Sequence, residues 1–204
     1  TLKHNVEAGA NTAVGDLALR QLKTSTASTY NTAVGRSSQR GPNNEAQFHT
    51  GERNTSVGAG SMKVITTGND NTAVGYWSQY GASITGDFNT SVGSNSLKNL
   101  VSGDKNISVG HEAGDVITSG SNNVIIGTGS DPSASSASNQ TVIGYNVTGQ
   151  ADNSVVLGNA DVTDIYMAQD KGATVHAAGA DLSGSTGLIL ENDETITNST
   201  DGTV

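Results

Sequence analysis

The sequence contains no cysteine, only two prolines, two phenylalanines and one tryptophan. Without cysteine, disulfide bonds and thiolate metal sites are excluded. Ten basic residues against nineteen acidic ones give a net charge of −9. We therefore expect no nucleic-acid partner, because a phosphate backbone is bound by an excess of basic residues. No apolar run approaches the roughly 20 residues of a membrane-spanning helix, so we also expect no membrane insertion.

Large apolar residues are scarce as well. Leucine, isoleucine, valine and phenylalanine together number 40 of 204 residues. This fraction lies near the limit below which a chain remains disordered. The few aliphatic residues are, however, placed at regular intervals, which favours a repeat fold with a thin core over a flexible chain. The abrupt start at "TLKHN" and end at "DGTV" indicate a segment of a longer protein.

One five-residue motif recurs along the chain. It is spelled "NTAVG" three times, "NTSVG" twice and "NISVG" once, and more distant variants follow. Its glycines stand most often 17 residues apart, at Gly15, Gly35, Gly58, Gly75, Gly93, Gly110, Gly127, Gly144 and Gly158. So short a period is typical of a solenoid, and the motif residues favour strand over helix. We call each repeat a rung.

Alternation within the motif predicts which side chains share a face of the strand. We predict that the aliphatic residue before each glycine points into the solenoid. This predicted repeat core is Val14, Val34, Val57, Val74, Val92, Val109, Ile126, Ile143 and Leu157. The residue two positions earlier, usually threonine, shares that face.

The residue between these two positions is predicted to point outward. It is never charged, whereas an isolated solenoid would show polar or charged residues there. We therefore predict that it contacts another subunit. This predicted subunit contact is Ala13, Ala33, Ser56, Ala73, Ser91, Ser108, Ile125, Val142 and Val156.

The repeats resemble the head repeats of YadA-type trimeric adhesins, and more closely the related repeats of bacteriophage tail fibres. The resemblance covers about residues 5–160 and depends on nine copies of the motif in series. It implies an all-β, left-handed parallel β-roll of about nine short-period rungs, with three identical chains around one axis. The stretch "DNSVVLGNADVTDIYM" (152–167) resembles the segment that ends such arrays. We therefore expect a repeat domain at 1–160 and a trimeric stalk or prism at 161–204.

This resemblance sets the functional hypotheses. The first is a structural and adhesive segment of a homotrimeric phage tail fibre, located in the virion and involved in host attachment. The second is a bacterial surface adhesin or extracellular filament subunit of the same fold. The third is a polysaccharide depolymerase, which the scattered acidic residues disfavour. The expected partners are the chain itself and a cell-surface glycan or protein receptor.

Catalytic, metal and cofactor sites are not expected. The four histidines, His4, His49, His111 and His176, are dispersed, and no nucleophile or phosphate-binding motif is present. Aspartates and asparagines cluster in turns, where stabilisation of the turn is favoured over calcium binding.

One aromatic cluster, Tyr76, Trp77 and Tyr80, is a candidate glycan contact and equally a candidate chain-to-chain contact. The repeated threonines also suggest ice binding. That hypothesis is disfavoured because it needs outward threonines, and the alternation assigns them to the interior.

Overall fold

The computed structural model describes residues 10–22, 30–42 and 49–166. Within these ranges the chain forms nine three-residue strands and no helix, so no described helix could cross a membrane. The strands are β1 (Thr12–Val14), β2 (Thr32–Val34), β3 (Thr55–Val57), β4 (Thr72–Val74), β5 (Thr90–Val92), β6 (Ile107–Val109), β7 (Val124–Ile126), β8 (Thr141–Ile143) and β9 (Val155–Leu157).

All nine strands belong to one parallel sheet whose order follows the chain. Equivalent motif residues lie side by side, so that Thr72 pairs with Thr90 and Val74 with Val92. The chain is therefore a β-solenoid of about eight turns. This confirms the prediction of an all-β parallel solenoid with short rungs.

Contacts divide the chain into Thr1–Thr163 and Asp164–Val204. The solenoid strands all lie in the first unit. The stalk predicted at 161–204 lies outside the described residues from position 167 onward.

The structure reverses the two predicted faces of the strands. The middle residue of each strand points inward, and in β2 to β8 it is buried within the single chain. The predicted repeat core is instead exposed: Val74 keeps 36% of its surface and Val14 keeps 57%. The period-2 alternation was right, but its assignment to inside and outside was wrong.

Small residues suffice at the inward position of β1 to β6 because larger side chains from elsewhere in the rung pack against it, as Met62 and Ile65 do beside Ala73. Alanine and serine occupy this position, and the serines bond within the solenoid, as Ser91 does with Ser78 through their hydroxyl groups (2.6 Å). The larger core side chains come from the rest of each rung. They are Leu19, Leu22, Met62, Ile65, Ile84, Leu97, Leu100 and Ile117.

The motif glycine allows the chain to turn immediately after each strand. Gly75 has a φ of +138°, and a methyl group added there would overlap the carbonyl of Gly93 on the next rung. Both the positive φ and the close approach of the neighbouring backbone require glycine.

The motif asparagines form a buried ladder along the solenoid. The Oδ1 atom of Asn71 accepts a hydrogen bond from the backbone N–H of Asn89 (2.9 Å), and its Nδ2 donates to the carbonyl of Gly86 (2.8 Å). Asn89 repeats both bonds with Asn106 (3.0 Å) and Gly103 (2.8 Å). Each asparagine thus satisfies two backbone groups of the following rung, which would otherwise be buried without partners.

We expect Asn89→Ala to lower the free energy of unfolding by about 2–4 kcal/mol, because it leaves a backbone N–H and a carbonyl buried without partners. Urea unfolding followed by circular dichroism measures the change. Asn99→Ala is the matched control, since the Asn99 amide bonds the Asp115 carbonyl (2.7 Å) at an exposed position. Equal losses in the two variants would contradict a structural role for the ladder.

His49 lies entirely within the core, on the rung between β2 and β3. Its backbone N–H donates to the carbonyl of Gln21 (3.0 Å), but neither ring nitrogen has a hydrogen-bond partner. Burial lowers the pKa of His49 from 6.5 to about 4. The neutral ring is therefore the form that the folded chain accepts.

We expect His49 to contribute a loss of stability as the pH falls from about 6.5 to about 4, because in that window the unfolded chain binds a proton at His49 and the folded chain does not. The full loss is on the order of 3 kcal/mol. Thermal unfolding between pH 4 and 7 measures it. Relative to the unmodified chain, His49→Phe should remove this contribution and leave the opposite slope of Asp131, whose pKa is raised to about 6, whereas His111→Asn, which changes an exposed histidine, should leave the profile in place. An unchanged pH profile in His49→Phe would contradict this.

Candidate functional site: an uncharged strand face and an aromatic hollow

The outward side of the sheet forms one continuous surface, which we call the outer strand face. It consists of the first and third residue of each strand, in two parallel columns. The first column is Thr12, Thr32, Thr55, Thr72, Thr90, Ile107, Val124, Thr141 and Val155. The second column is the set first predicted to be the core, from Val14 to Leu157. No position in either column is charged.

The second column is exposed along nearly its whole length. Val57, Val92 and Val109 each keep 38% of their surface, Ile126 keeps 39% and Leu157 keeps 42%. Only Val34 is less exposed, at a half-buried level. With strands stacked at about 4.8 Å, nine strands extend the apolar column over about 38 Å. A regular, uncharged strip of this length is typical of an interaction surface.

The predicted subunit contacts, from Ala13 to Val156, do not lie on this surface. Ala33, Ala73 and Val142 are fully buried inside their own chain and cannot contact a partner. The absence of charge could not reveal the error, because both sets of positions are uncharged. Side-chain size was the signal that distinguished the two faces, since the inward residue is alanine or serine from β1 to β6.

The same reversal places the threonines of the first column outward. Thr32, Thr55, Thr72 and Thr90 lie half-exposed in register on neighbouring strands. The ground on which ice binding was disfavoured, an inward position of these threonines, therefore does not hold.

A second surface feature lies at the corner that follows β4. The Tyr76 and Trp77 rings stack with centroids 4.8 Å apart and 17° between their planes, and Tyr80 lies 4.7 Å from Trp77 on the other side. Tyr76 is half exposed. All three candidate glycan-contact residues are thus brought together in one stack.

The stack borders a hollow of about 170 Å³, which we call the aromatic hollow. It is lined by Arg36, Ser37, Ala59, Gly60, Lys63, Tyr76 and Trp77. Gly60 leaves room for the indole, because a methyl group there would lie 2.7 Å from the Trp77 ring. The Lys63 ammonium donates to the Tyr80 hydroxyl (2.7 Å), which fixes a cation at the rim.

The turn carboxylates are used within the solenoid. Asp87 accepts the backbone N–H of Asn69 (2.7 Å), and Asp104 accepts that of Asp87 (2.8 Å). These bonds support the interpretation of the turn residues as structural. Among the described residues no group of three or more histidine, aspartate or glutamate side chains could hold a metal ion.

The corner that carries the aromatic hollow becomes acidic further along the solenoid, on the rungs after β6 and β7. Burial, together with the carboxylates of Asp115 and Glu112, raises the pKa of Asp131 to about 6. Burial likewise raises the pKa of Asp115, and Glu112 adds to the effect. These later rungs contrast with the cationic rim of the aromatic hollow.

Comparison of the chain with protein-family models, with curated proteins and with solved structures finds no match.

Proposed function

We propose that the chain is a structural and adhesive segment of a homotrimeric fibre, in which the outer strand face of each chain packs against two other copies. The observation that carries the proposal is the exposed aliphatic column of β1 to β9. No described part of the chain covers it.

The chemistry of this face suits burial better than exposure. Of its two positions per strand, one is always aliphatic, and the other is threonine or aliphatic. Burying an aliphatic side chain of this size is favourable by about 1.5–3 kcal/mol. Threonine, valine and isoleucine also lose little side-chain freedom on packing, because they are branched at Cβ. A second and third copy of the same face would supply equally uncharged partners.

The number three comes from the resemblance of the motif repeats to trimeric adhesin heads and phage tail-fibre repeats. The same resemblance supports the left-handed sense of the roll, the transition to a stalk after residue 160, and a place in the virion. A bacterial surface adhesin or extracellular filament of the same fold remains the alternative source.

Attachment by such a fibre would work through multivalency. Three identical chains present three copies of each surface site around one axis. When one site has bound, the others bind at a high effective concentration, so weak single-site affinity suffices. The aromatic hollow, on the corner beside the sheet, is the candidate for such a site.

We expect the segment to have a mass in solution of three times 20.6 kDa, independent of concentration, by light scattering. Val92→Lys should convert it to monomers, because each trimer would bury three unpaired ammonium groups. Val116→Lys is the matched control: Val116 is 37% exposed and Val92 38%, but Val116 lies outside the outer strand face.

A monomeric mass of the unmodified segment would contradict the trimer. Dissociation by Val116→Lys and Val92→Lys alike would show that the outer strand face is not the contact.

The outward threonine column supports a second candidate function, ice binding by the isolated solenoid. It uses the same face, so it excludes the trimer. It predicts a monomer that shows thermal hysteresis, and Thr72→Lys should abolish that activity because it breaks the flat array. Freezing-point measurement on the isolated segment tests this, with Val116→Lys as the control. A trimer without thermal hysteresis would contradict it.

A further inference from the structure

Basic residues concentrate on one corner of the solenoid up to β5, before Asp115 takes the same position on the rung of β6. The described residues hold seven arginines and lysines, and four of them, Arg20, Arg40, Lys63 and Lys98, stand five positions after a motif glycine. The position is the same on successive rungs, since the N–H of Gly41 bonds the carbonyl of Lys63 (3.0 Å). We call these four residues the basic column.

The aromatic stack interrupts this column. Tyr80 takes the fifth position on its own rung, between Lys63 and Lys98 on the rungs either side. The Lys63 ammonium lies 4.8 Å from the centre of the Tyr80 ring, and that of Lys98 lies 5.8 Å from the Trp77 ring. The rings are thus bordered by cations on both sides along the solenoid axis.

The cations at the hollow are weakly neutralised by the chain itself. Lys63 bonds the Tyr80 phenol, which leaves further N–H donors on its ammonium. Arg36, which lines the hollow, has a 76% exposed side chain and only a distant ion pair with Asp16 (3.8 Å). By contrast, Arg53 binds both carboxylate oxygens of Asp70 (2.7 and 2.9 Å) at another corner. Arg36 and Lys63 are therefore available to an anion.

This arrangement matches one class of ligand. An exposed aromatic ring packs on the apolar C–H face of a sugar. A guanidinium and an ammonium beside it bind a carboxylate by charge-assisted hydrogen bonds. A ligand that offers both groups is a sugar acid.

We propose that the aromatic hollow binds a carboxylated saccharide of the uronic-acid type, as part of an acidic polysaccharide. The sugar ring packs on the exposed ring of Tyr76, beside the edge of Trp77, and its carboxylate lies between Arg36 and Lys63. The proposal builds on the adhesive part of the proposed function and does not depend on the trimer.

A nucleic acid is the less suitable polyanion. Proteins that bind single strands stack successive bases on a series of aromatic side chains along a positively charged groove. Here the aromatic stack occupies one rung only, and the chain carries a net charge of −9. A saccharide needs only one ring and one carboxylate at the site, which a single aromatic stack beside Arg36 and Lys63 supplies.

The single tryptophan makes the test direct, because Trp77 is the only indole of the chain. Its fluorescence is followed while the segment is titrated with hexagalacturonate, oligomannuronate and a glucuronate-containing hexasaccharide. The fully methyl-esterified hexagalacturonate is the uncharged control. We expect saturable change with at least one acid, binding of the ester at least about tenfold weaker, and loss of acid binding as salt is raised.

Variants separate the two parts of the site while keeping the indole. Arg36→Gln and Lys63→Gln should each weaken binding of the acid about tenfold. Lys105→Gln, at an exposed lysine outside the basic column, should leave it unchanged. Tyr76→Ala should weaken binding of the acid and the ester alike. Tyr145→Ala should affect neither, since Tyr145 also follows a motif glycine directly and is 65% exposed.

No saturable change with any of the three acids would overturn the proposal, as would equal affinity for the acid and its ester. An equal loss of affinity in Lys105→Gln and Lys63→Gln would show that binding depends on net charge alone, which would also overturn the proposal. Displacement of the saccharide by an equimolar single-stranded oligonucleotide would assign the site to nucleic acid instead. A trimer that binds no saccharide would overturn this proposal and leave the trimeric fibre in place. A monomer that binds saccharide would overturn the trimer and support this proposal.

Discussion

The asparagine ladder is the interaction on which the rest of the solenoid depends. Each rung contains a strand of only three residues. Such a strand buries little apolar area and cannot by itself provide hydrogen-bond partners for the backbone groups that the rung buries. Each motif asparagine supplies the missing partners, one N–H and one carbonyl, on the following rung. Because its side chain reaches only one rung ahead, it also sets the alignment of neighbouring strands.

Because of that alignment, residues at the same position of successive repeats form columns on the surface. A residue type chosen at one motif position is presented again on each rung, beside its equivalent. The aliphatic column of the outer strand face and the basic column of the corner are both products of this rule. The same rule explains why so lean a composition folds: the inward column is alanine or serine through β6, and larger buried side chains from the rest of each rung fill the remaining interior.

The nine copies of the motif allowed the number of strands and their stacking into a solenoid to be predicted, and the resemblance to adhesin-head and tail-fibre repeats implied their parallel order. The direction of the two faces could not be predicted from hydrophobicity alone. Val74 is more apolar than Ala73, yet Ala73 is the buried one, because the larger interior side chains of these rungs, such as Met62 and Ile65, come from outside the strand and pack against it.

The aromatic stack was visible in "GYWSQYG", but its cationic surroundings were not. Lys63 and Lys98 lie far from Trp77 in the sequence and approach it only when the rungs stack. The net charge of the chain gave the opposite impression, since it averages over rungs of opposite sign.

The unequal intervals between motif glycines have a consequence for how such a chain can change. Intervals of 17 and 23 residues both end in strands that pair in register, because the extra residues lie between the strands. Gain or loss of a whole repeat would therefore move everything beyond it by one strand spacing, about 4.8 Å, without altering any local geometry. The number of repeats then sets the length of the solenoid. Recombination between near-identical motifs would change this length, and the position of the aromatic hollow along the axis, in equal steps of one strand spacing.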